Sequence, residues 1–566
     1  MGGSTQLDKY GLWRKNWPKN IPSKPVFPFG EVPVSDCVKR HAERSPDRIA
    51  AIFYGREVTF KEWDDAADRL ATALADMGYK KGDRVLLYMH NSPQVFIAYI
   101  AAVRLGMIIF TADPSFKEFE IEYELKDSGA SLVFAYDQNY PYVKATQEKT
   151  NIKNVIVTSF YDYLPGKPTL PPHPIMTPKK ESFPNTFEFL DLIRKHPPNP
   201  PKVDLGMDEE EVVLYTGGTT GLPKGAVHTH MNTLWCGAWA HQVRDLDVNL
   251  KPCRSALVFG PLGHVGALSH SLFPSSVHGR TCIILARYDA DTAMQAIDTY
   301  KAELFVGTVP IIQGLLNHPR RKEYDLSSVK KWLLGEWMVW LTPELASEWE
   351  KAVGTRPVKW GYGQTETINV IPDGTRIGYE LPFKDKFIMA AVPPDAGFDI
   401  RIVDFETRED LPPGQKGEIV MKAPARCKYY WNKPKETAEG LSPEGWLYSG
   451  DVGMLDEEGY LYWYGRKKYL IRVSGFQVSG GEIEMIGRQC PDIANIAVIG
   501  IPDPRRGEVP KAFVELKPGS QSTAVDIEAW FKHHISSYKV PVVEILPQLP
   551  LTPKGSIDMK ALQSRG

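Results

Sequence analysis

Residues 215–225 read YTGGTTGLPKG and directly follow the strand-like run Glu211–Tyr215. Gly217, Gly218 and Gly221 allow a sharp turn that brings backbone N–H groups close to an anion. Threonine hydroxyls add donors, and Lys224 adds a positive charge. The stretch is not a Walker A loop, because its lysine lies between proline and glycine instead of preceding Ser or Thr at a helix start. We expect a flexible loop that cradles a triphosphate; the alternative is a polar hairpin without a ligand.

The composition is typical of a soluble globular protein with two or more domains. The chain has 566 residues, of which 43% are hydrophobic and 24% charged, and its net charge of −2 argues against nucleic-acid binding. Its six cysteines are scattered without a CxxC pair, which indicates free thiols in a reducing compartment. No apolar run reaches the roughly 18 residues of a membrane span, and the N-terminus lacks a signal-peptide core. We therefore expect a cytoplasmic protein with no membrane span.

Helix-like and strand-like stretches alternate in the first third of the chain. Thr59–Met77 has the apolar spacing of an amphipathic helix, and Pro93–Leu105 is apolar on nearly all sides, as in a buried helix. Strands are predicted at Asp83–Met89, Met107–Thr111 and Leu132–Ala135. This alternation predicts parallel sheets covered by helices.

The later segments differ in character. Residues 160–204 are rich in proline and lysine, which predicts a surface connection. A second α/β stretch covers about 207–360, and the glycine-rich stretch from about 396 to 461 predicts small antiparallel β structure. The last segment, from about 468, has strands of its own and a helix near Ala524–His534, which indicates a separate small α+β domain.

The loop at 215–225 resembles the phosphate loop of the adenylate-forming superfamily, which includes acyl-CoA synthetases, luciferases and the adenylation domains of peptide synthetases. Gly217 stands where that family usually has serine. The resemblance implies ATP binding by Thr216, Gly217, Gly218, Thr219, Thr220, Gly221 and Lys224. It further implies that Thr219 helps to hold a Mg²⁺ ion.

Further motifs of the family follow in order. Tyr362–Glu366 (YGQTE) resembles the YGxTE motif, in which Glu366 would bind Mg²⁺ and Thr365 would lie near the α-phosphate. Tyr448–Asp451 resembles [YS]-x-G-D, whose aspartate accepts hydrogen bonds from the ribose, and Arg466 would contact the ribose as well. By the same resemblance, nucleotide binding extends to Gly335, Glu336, Trp337, Gly361, Tyr362, Gly363 and Gln364.

The resemblance covers roughly residues 50–566 and implies an α/β fold. A large N-terminal domain, 1–467, would contain two αβ-layered sheets and a small β subdomain, and a small mobile α+β domain, 468–566, would swing about a hinge at Lys468. In acyl-CoA synthetases the loop at Ser474 and Gly475 lines the pantetheine tunnel. The segment Pro261–Gly266 resembles the family's PxxHxxG, whose histidine, here His264, gates the acyl pocket in members that use coenzyme A.

The C-terminus departs from the family pattern PxTxxGKxxR, whose lysine assists adenylation. Ser556 stands at the lysine position, and Lys554 lies two residues earlier. Three explanations remain open: Lys554 substitutes, adenylation proceeds slowly with Mg²⁺ and Lys224, or the lysine was removed by design. A cation at this point would offset the charge of two approaching anions, the substrate carboxylate and the α-phosphate.

The function implied is an AMP-forming ligase that joins a small carboxylic acid to coenzyme A with ATP and Mg²⁺. The alternatives are an adenylating enzyme with another acceptor and an adenylation-impaired protein that holds AMP or acyl-AMP; a homodimer stays open. Gly363 replaces the tryptophan of acetate-activating members, so an acid larger than acetate would fit. A long chain would be excluded if Trp337 or Trp340 faces the pocket. Short, branched or hydroxy acids are the first expectation, and medium-chain or aromatic acids the second.

Overall fold

The computed structural model describes residues 24–176, 179–216, 223–244, 251–335, 341–359, 362–368, 388–390, 399–457, 460–473, 476–535, 537–552 and 557–565. The strands in chain order are β1 (Ile49–Phe53), β2 (Arg56–Thr59), β3 (Arg84–Tyr88), β4 (Ile108–Thr111), β5 (Leu132–Tyr136), β6 (Asn154–Thr158), β7 (Phe187–Glu188), β8 (Glu210–Tyr215), β9 (Gly225–Thr229), β10 (Ser255–Val258), β11 (Thr281–Ile284), β12 (Leu304–Thr308), β13 (Lys331–Gly335), β14 (Val358–Lys359), β15 (Ile388–Ala390), β16 (Asp399–Val403), β17 (Gly417–Lys422), β18 (Leu447–Leu455), β19 (Tyr460–Arg466), β20 (Leu470–Val473), β21 (Phe476–Ser479), β22 (Ile493–Asp503), β23 (Gly507–Leu516) and β24 (Val542–Ile545). The α-helices are α1 (Val34–Arg44), α2 (Phe60–Asp76), α3 (Pro93–Arg104), α4 (Glu118–Ser128), α5 (Tyr140–Thr146), α6 (Phe189–Lys195), α7 (His230–Trp239), α8 (Val265–His270), α9 (Leu272–His278), α10 (Ala290–Tyr300), α11 (Val309–Leu316), α12 (Pro343–Val353), α13 (Pro434–Gly440), α14 (Gly480–Gly487), α15 (Ala524–His534) and α16 (Met559–Gln563).

Two large sheets form the centre of the fold. The first has the strand order β14-β13-β12-β10-β11-β1-β2, and the second has the order β7-β6-β5-β3-β4-β8-β9. Neighbouring strands run parallel except for the edge pairs β1–β2 and β8–β9, which are antiparallel. The two β strands nearest the N-terminus thus join the first sheet, although the rest of that sheet comes from residues after 250.

The predicted helices of the first third match α2 and α3. Helix α2 begins after Thr59, whose side chain accepts a hydrogen bond from the Glu62 backbone N–H while the Glu62 side chain accepts from the Thr59 N–H. This reciprocal capping satisfies two donors that a helix start otherwise leaves unpaired. Helix α3 is buried along almost its whole length, as its continuous apolar sequence predicts.

A buried amide helps to join the two large sheets. Asn91, directly after β3 of the second sheet, donates from Nδ2 to the carbonyl oxygens of Gly260 (2.8 Å) and Leu285 (3.3 Å). Its Oδ1 accepts from the Leu262 backbone N–H at 2.8 Å. These three partners follow β10 and β11 of the first sheet, so the amide fixes the connections of one sheet against the other.

The expectation of a mere surface connection at 160–204 is wrong for part of that segment. Strand β7 extends the second sheet beside β6, and α6 follows it immediately. Phe189 and Leu192 of α6 are buried, and so is Leu170. The apolar residues of FEFLDLI have helical spacing, and burying them outweighs the influence of the prolines on either side.

The remaining strands form two smaller sheets. The order β15-β19-β18-β17-β16 is antiparallel throughout, as predicted for the glycine-rich stretch. Strands β20 to β24 form a separate sheet that packs with α14 and α15 around its own apolar core. The predicted fold class is confirmed, whereas the domain limits and the hinge at Lys468 stay predictions; Lys468 lies in a short 3₁₀ turn between β19 and β20.

Helix α14 packs closely against β19 across the turn at Lys468. A Cβ atom on Gly481 would lie 2.2 Å from the Tyr464 carbonyl oxygen, so only glycine permits this approach. The Ser479 hydroxyl donates to the same carbonyl oxygen. An ion pair of 2.8 Å joins Lys416, before β17, to Glu482 of α14. These contacts fix the position of the C-terminal sheet, β20 to β24, relative to the antiparallel sheet of β15 to β19.

No helix among the described residues has both the length and the apolar character needed to cross a membrane.

Candidate active site

The described ends of the predicted phosphate loop are held by the β8–β9 hairpin. The Thr216 N–H donates to the Lys224 carbonyl oxygen at 2.9 Å, and the Lys224 N–H donates to Thr216 Oγ1 at 3.3 Å. Next to them, Tyr215 pairs with Gly225 in antiparallel register. The Tyr123 hydroxyl donates to the Pro223 carbonyl oxygen at 2.6 Å and ties the hairpin to α4. The loop therefore starts and ends at one fixed point.

The motif at 362–368 lies against β9. His228 of β9 is buried, and its Nε2 donates to the Thr365 carbonyl oxygen at 2.9 Å. Burial lowers the pKa of His228 to about 3, so the ring is neutral with its proton on Nε2. The Cys427 N–H donates to the Glu366 carbonyl oxygen at 2.6 Å. Thr365 and Glu366 are thus positioned through their backbone, and the side chain of Glu366 is left to bind other groups.

Tyr430 connects the motif to the phosphate loop. Its hydroxyl donates to Glu366 Oε1 at 2.6 Å, and the Lys224 ammonium lies 4.3 Å from the centre of its ring. The backbone of 427–431 runs beside β9, with the Trp431 N–H donating to the Gly225 carbonyl oxygen at 2.8 Å. The predicted magnesium ligand and the predicted phosphate-binding lysine therefore meet at one aromatic side chain.

The predicted ribose-binding pair lies on β18 and β19, with Asp451 buried and Arg466 partly exposed. Asp451 Oδ1 lies 3.0 Å from Arg466 Nε, and Oδ2 accepts from the Tyr362 hydroxyl at 2.5 Å. Arg466 also donates from Nη1 to the Ser449 carbonyl oxygen at 3.0 Å. Burial raises the pKa of Asp451 above its ordinary value, while Arg466 and the Tyr362 hydroxyl act to lower it. Tyr362, the first residue of the YGQTE motif, is thereby joined to Asp451.

Two further observations fit a nucleotide at this point. The Nε2 atom of Gln364 is buried and has no hydrogen-bond partner within the described part of the chain, so a donor is available beside Gly363. The described ranges contain no group of three or more His, Cys, Asp or Glu side chains placed to hold a metal ion. Mg²⁺ in phosphate sites commonly takes one or two carboxylates together with phosphate oxygens, so the role predicted for Glu366 needs no larger cluster.

A buried polar cluster anchors the β8–β9 hairpin to the helices packed against it. Glu211 of β8 is fully buried and accepts hydrogen bonds from the Tyr99 hydroxyl (2.7 Å) and the Thr233 hydroxyl (2.8 Å). His230 Nδ1 lies 2.7 Å from the same carboxylate. Three partners for one buried carboxylate compensate for its lost hydration and fix β8 against α3 and α7.

His264 and Gly335 lie at the carboxyl edge of the first sheet. His264 precedes α8, where its Nδ1 accepts from the Gly266 N–H at 3.0 Å and its side chain is exposed. Gly335 ends β13 beside Thr308 of β12. The strands β10, β12 and β13 are parallel, so the segments after them meet at one edge, where ligands bind in open α/β sheets.

The remaining predicted site residues lie outside the described residues. They are Gly217, Gly218, Thr219, Thr220, Gly221, Glu336, Trp337, Gly361, Ser474, Gly475, Lys554 and Ser556. Of the predicted residues that are described, Lys224 and Glu366 meet at Tyr430, and Tyr362, Asp451 and Arg466 form a second set of contacts. Tyr430 and His228 were not predicted from the sequence, where the one available signal for Tyr430 is the aromatic run at 429–431.

Two family models match the chain in the order that the motifs predict. The model described as AMP-binding enzyme matches residues 38–431, and the model described as AMP-binding enzyme C-terminal domain matches residues 482–556. The chain is 33% identical over 558 residues to a long-chain-fatty-acid–CoA ligase of Bacillus subtilis, with 96% of each chain covered. It is 31% identical over 520 residues to a feruloyl-CoA synthase of Amycolatopsis sp., covering 92% of this chain and 96% of that one.

The fold agrees with these matches. The solved structure of ATP-bound MatB from Rhodopseudomonas palustris superposes with a TM-score of 0.78 at 23% sequence identity, covering 94% of this chain and 98% of that one. The predicted family resemblance and the enzyme class, an AMP-forming acid–CoA ligase, are confirmed by these matches. Because both family models match it in this order, the chain belongs to the AMP-binding enzymes of the adenylate-forming superfamily.

Proposed function

We propose that this protein uses ATP and Mg²⁺ to convert a carboxylic acid into its acyl-CoA thioester by way of an acyl-adenylate. The observation that carries the proposal is that the motif at 362–368 contributes to two contact sets, Lys224–Tyr430–Glu366 and Tyr362–Asp451–Arg466. A cation and a carboxylate suit a metal–polyphosphate, and a buried aspartate paired with an arginine suits a ribose.

In the first step, the acid's carboxylate oxygen attacks the α-phosphorus of ATP, and the bond to pyrophosphate breaks. The products are acyl-AMP and pyrophosphate. Asp451 and Arg466 would hold the ribose, while Lys224 would offset the negative charge of the triphosphate. Mg²⁺, held by Glu366 and by Thr219 of the loop, would supply further charge neutralisation. The protein's part is to position the reactants and to stabilise charge.

In the second step, the thiol sulfur of coenzyme A attacks the acyl carbonyl carbon, and AMP leaves with the bonding electron pair. The thiol proton is released to solvent. We propose that the part of the chain after Lys468 changes orientation between the steps and brings the loop at Ser474 and Gly475 toward the site. In that case one hinge would serve two reactions that need different neighbouring groups.

For the acid, we propose a short, branched or hydroxy acid first, because Gly363 leaves more room than acetate needs and because either Trp337 or Trp340 would shorten the pocket if it faces it. An aromatic or long-chain acid is the second candidate, and the names of the feruloyl-CoA and long-chain relatives favour it. Neither alternative changes the chemistry at the phosphate.

ATP–pyrophosphate exchange with a panel of acids from each class, run with and without coenzyme A, tests the proposal. Acid-dependent exchange together with CoA-dependent AMP release is the expected result. Exchange without any thioester would show another acceptor. Nucleotide binding without exchange would show an adenylation-impaired protein, and exchange gained by a Ser556→Lys variant would trace that defect to the missing lysine.

A further inference from the structure

Tyr430 lies between two groups of opposite charge that the proposed function needs. Its hydroxyl donates to Glu366 Oε1 at 2.6 Å, and the Lys224 ammonium lies over its ring, 4.3 Å from the centre. Tyr430 and Glu366 are both largely buried, at 5% and 8% exposure, so water screens their surroundings weakly. Among the residues that the structure describes, neither Lys224 nor Glu366 takes part in an ion pair.

The position of Tyr430 is fixed by its backbone. The bridge between Ala226 and Tyr430 continues the antiparallel contact of 427–431 with β9, the strand that begins one residue after Lys224. The Tyr430 N–H donates to Thr437 Oγ1 at 3.0 Å, which ties it to α13 as well. The ring is therefore fixed relative to the end of the phosphate loop.

A lysine and a carboxylate this close would attract each other strongly where screening is weak. A direct ion pair between them would neutralise both before the nucleotide arrives. A tyrosine satisfies each charge separately, because its hydroxyl donates to an anion and its ring face attracts a cation. Neither contact removes the charge. Glu366 can offer its second carboxylate oxygen to a metal while Oε1 keeps its hydrogen bond with Tyr430, and a polyphosphate can draw Lys224 away from the ring.

The geometry points to Tyr430 as a positioning residue that keeps Lys224 and Glu366 apart and oriented until ATP and Mg²⁺ bind. This inference rests on the proposed function, since it assigns the two charges to phosphate and metal. It identifies a residue outside the motifs that the sequence analysis used.

Direct ATP binding, measured by calorimetry in excess EDTA and across a Mg²⁺ titration, tests the role without a known acid. Tyr430→Phe removes one oxygen atom and keeps the ring. We expect its ATP affinity in EDTA to stay unchanged. The Mg²⁺ concentration that produces half of the metal-dependent gain in ATP affinity should rise about tenfold, because Glu366 loses the hydrogen bond that orients it. Tyr430→Leu should in addition weaken ATP binding in EDTA by about tenfold, because the ring that separates Lys224 from Glu366 is lost.

The matched control is Tyr429→Phe. Tyr429 is the preceding residue, and its hydroxyl lies 3.5 Å from Glu210, outside the contact set of the site. This variant should bind ATP with the same affinity and the same Mg²⁺ dependence as the unmodified protein. Circular dichroism and thermal melting of each variant check folding, and Tyr430→Phe carries the test if the leucine variant does not fold.

A double-mutant cycle tests the separation of charges directly. Glu366→Gln should improve ATP binding in EDTA more in the Tyr430→Leu background than alone, because it frees a lysine that the carboxylate had captured. Equal gains in both backgrounds, or an unchanged Mg²⁺ titration in Tyr430→Phe, would overturn the inference. ATP binding without acid-dependent exchange would reject the proposed ligase and leave Tyr430's role standing, whereas no ATP binding by the unmodified protein would reject both.

Discussion

Replacing Gly481 by alanine would insert a methyl group where α14 contacts β19. The added Cβ atom would lie 2.2 Å from the Tyr464 carbonyl oxygen and 2.9 Å from its carbonyl carbon. Both are backbone atoms of a strand that pairs with β18 on one side and β15 on the other, so neither can rotate away. The helix itself must move.

The size of the effect follows from that clash. Real Cβ atoms essentially never approach another heavy atom within 3.0 Å, so α14 must retreat by most of an ångström. Overpacking of this kind costs about 1–3 kcal/mol. If the contact exists in one orientation of the C-terminal sheet and not in another, the equilibrium between the two shifts by about 5- to 150-fold.

The assay separates the two proposed half-reactions. ATP–pyrophosphate exchange reports acyl-AMP formation, and CoA-dependent AMP release from preformed acyl-AMP reports thioester formation. If the part after Lys468 changes orientation as proposed, the contact in this structure belongs to one of the two arrangements, and Gly481→Ala should slow one half-reaction by about 5- to 150-fold and spare the other. A selective loss would also tell which step this orientation serves.

Gly480→Ala is the matched control, since its Cβ would lie 2.8 Å from the Val498 carbonyl oxygen, inside the C-terminal sheet itself. It should lower the melting temperature without changing the ratio of the two half-reaction rates. Equal slowing of both half-reactions by Gly481→Ala, or no slowing of either, would refute the reasoning.

Three further results are expected. Asp451→Asn should raise the KM for ATP about tenfold or more and reduce the preference for ATP over 2′-deoxy-ATP, measured by pyrophosphate exchange; an unchanged preference would argue against ribose binding. Glu211→Ala should lower the free energy of unfolding by about 3–5 kcal/mol in urea, because it leaves three buried partners without their carboxylate, whereas a loss below about 1 kcal/mol would contradict the role given to that cluster. Burial lowers the pKa of His278 to about 3 from 6.5, so below pH 6.5 the unfolded chain binds a proton that the folded protein does not, and stability is lost as the pH falls. His278→Gln should therefore reduce the loss of unfolding free energy between pH 7.5 and 5.0 by up to about 2 kcal/mol, and an equal loss in both proteins would contradict this.

Local signals in the sequence predicted individual elements well. Thr59–Met77 contains both the apolar spacing and the cap of α2, and the predicted helix Ala524–His534 matches α15. The strand order could not be predicted in the same way, because the pairing of β1 with β11 joins residues more than 200 positions apart. The proline-rich stretch misled the prediction near β7, since composition there hid a short apolar pattern.

The candidate site shows the same difference between residues that local patterns predict and residues whose role depends on long-range contacts. Motif residues such as Glu366 and Asp451 could be identified because each lies in a short string typical of the family. Tyr430 could not, because its role depends on contacts with Glu366, 64 positions earlier, and with Lys224, more than 200 positions earlier. Such contacts are created by the pairing of 427–431 with β9, which no local pattern encodes.

All six cysteines of the chain are buried and none forms a disulfide, so each can report on the opening of its surroundings. Burial raises the pKa of Cys37 and of Cys282 to about 12, so almost no reactive thiolate is present at these two sites in the folded protein. A thiol reagent should therefore modify each cysteine only when its surroundings open. Cys490 lies in the core of the C-terminal sheet and Cys427 beside Glu366, so the order of their labelling would show which part of the native protein opens first.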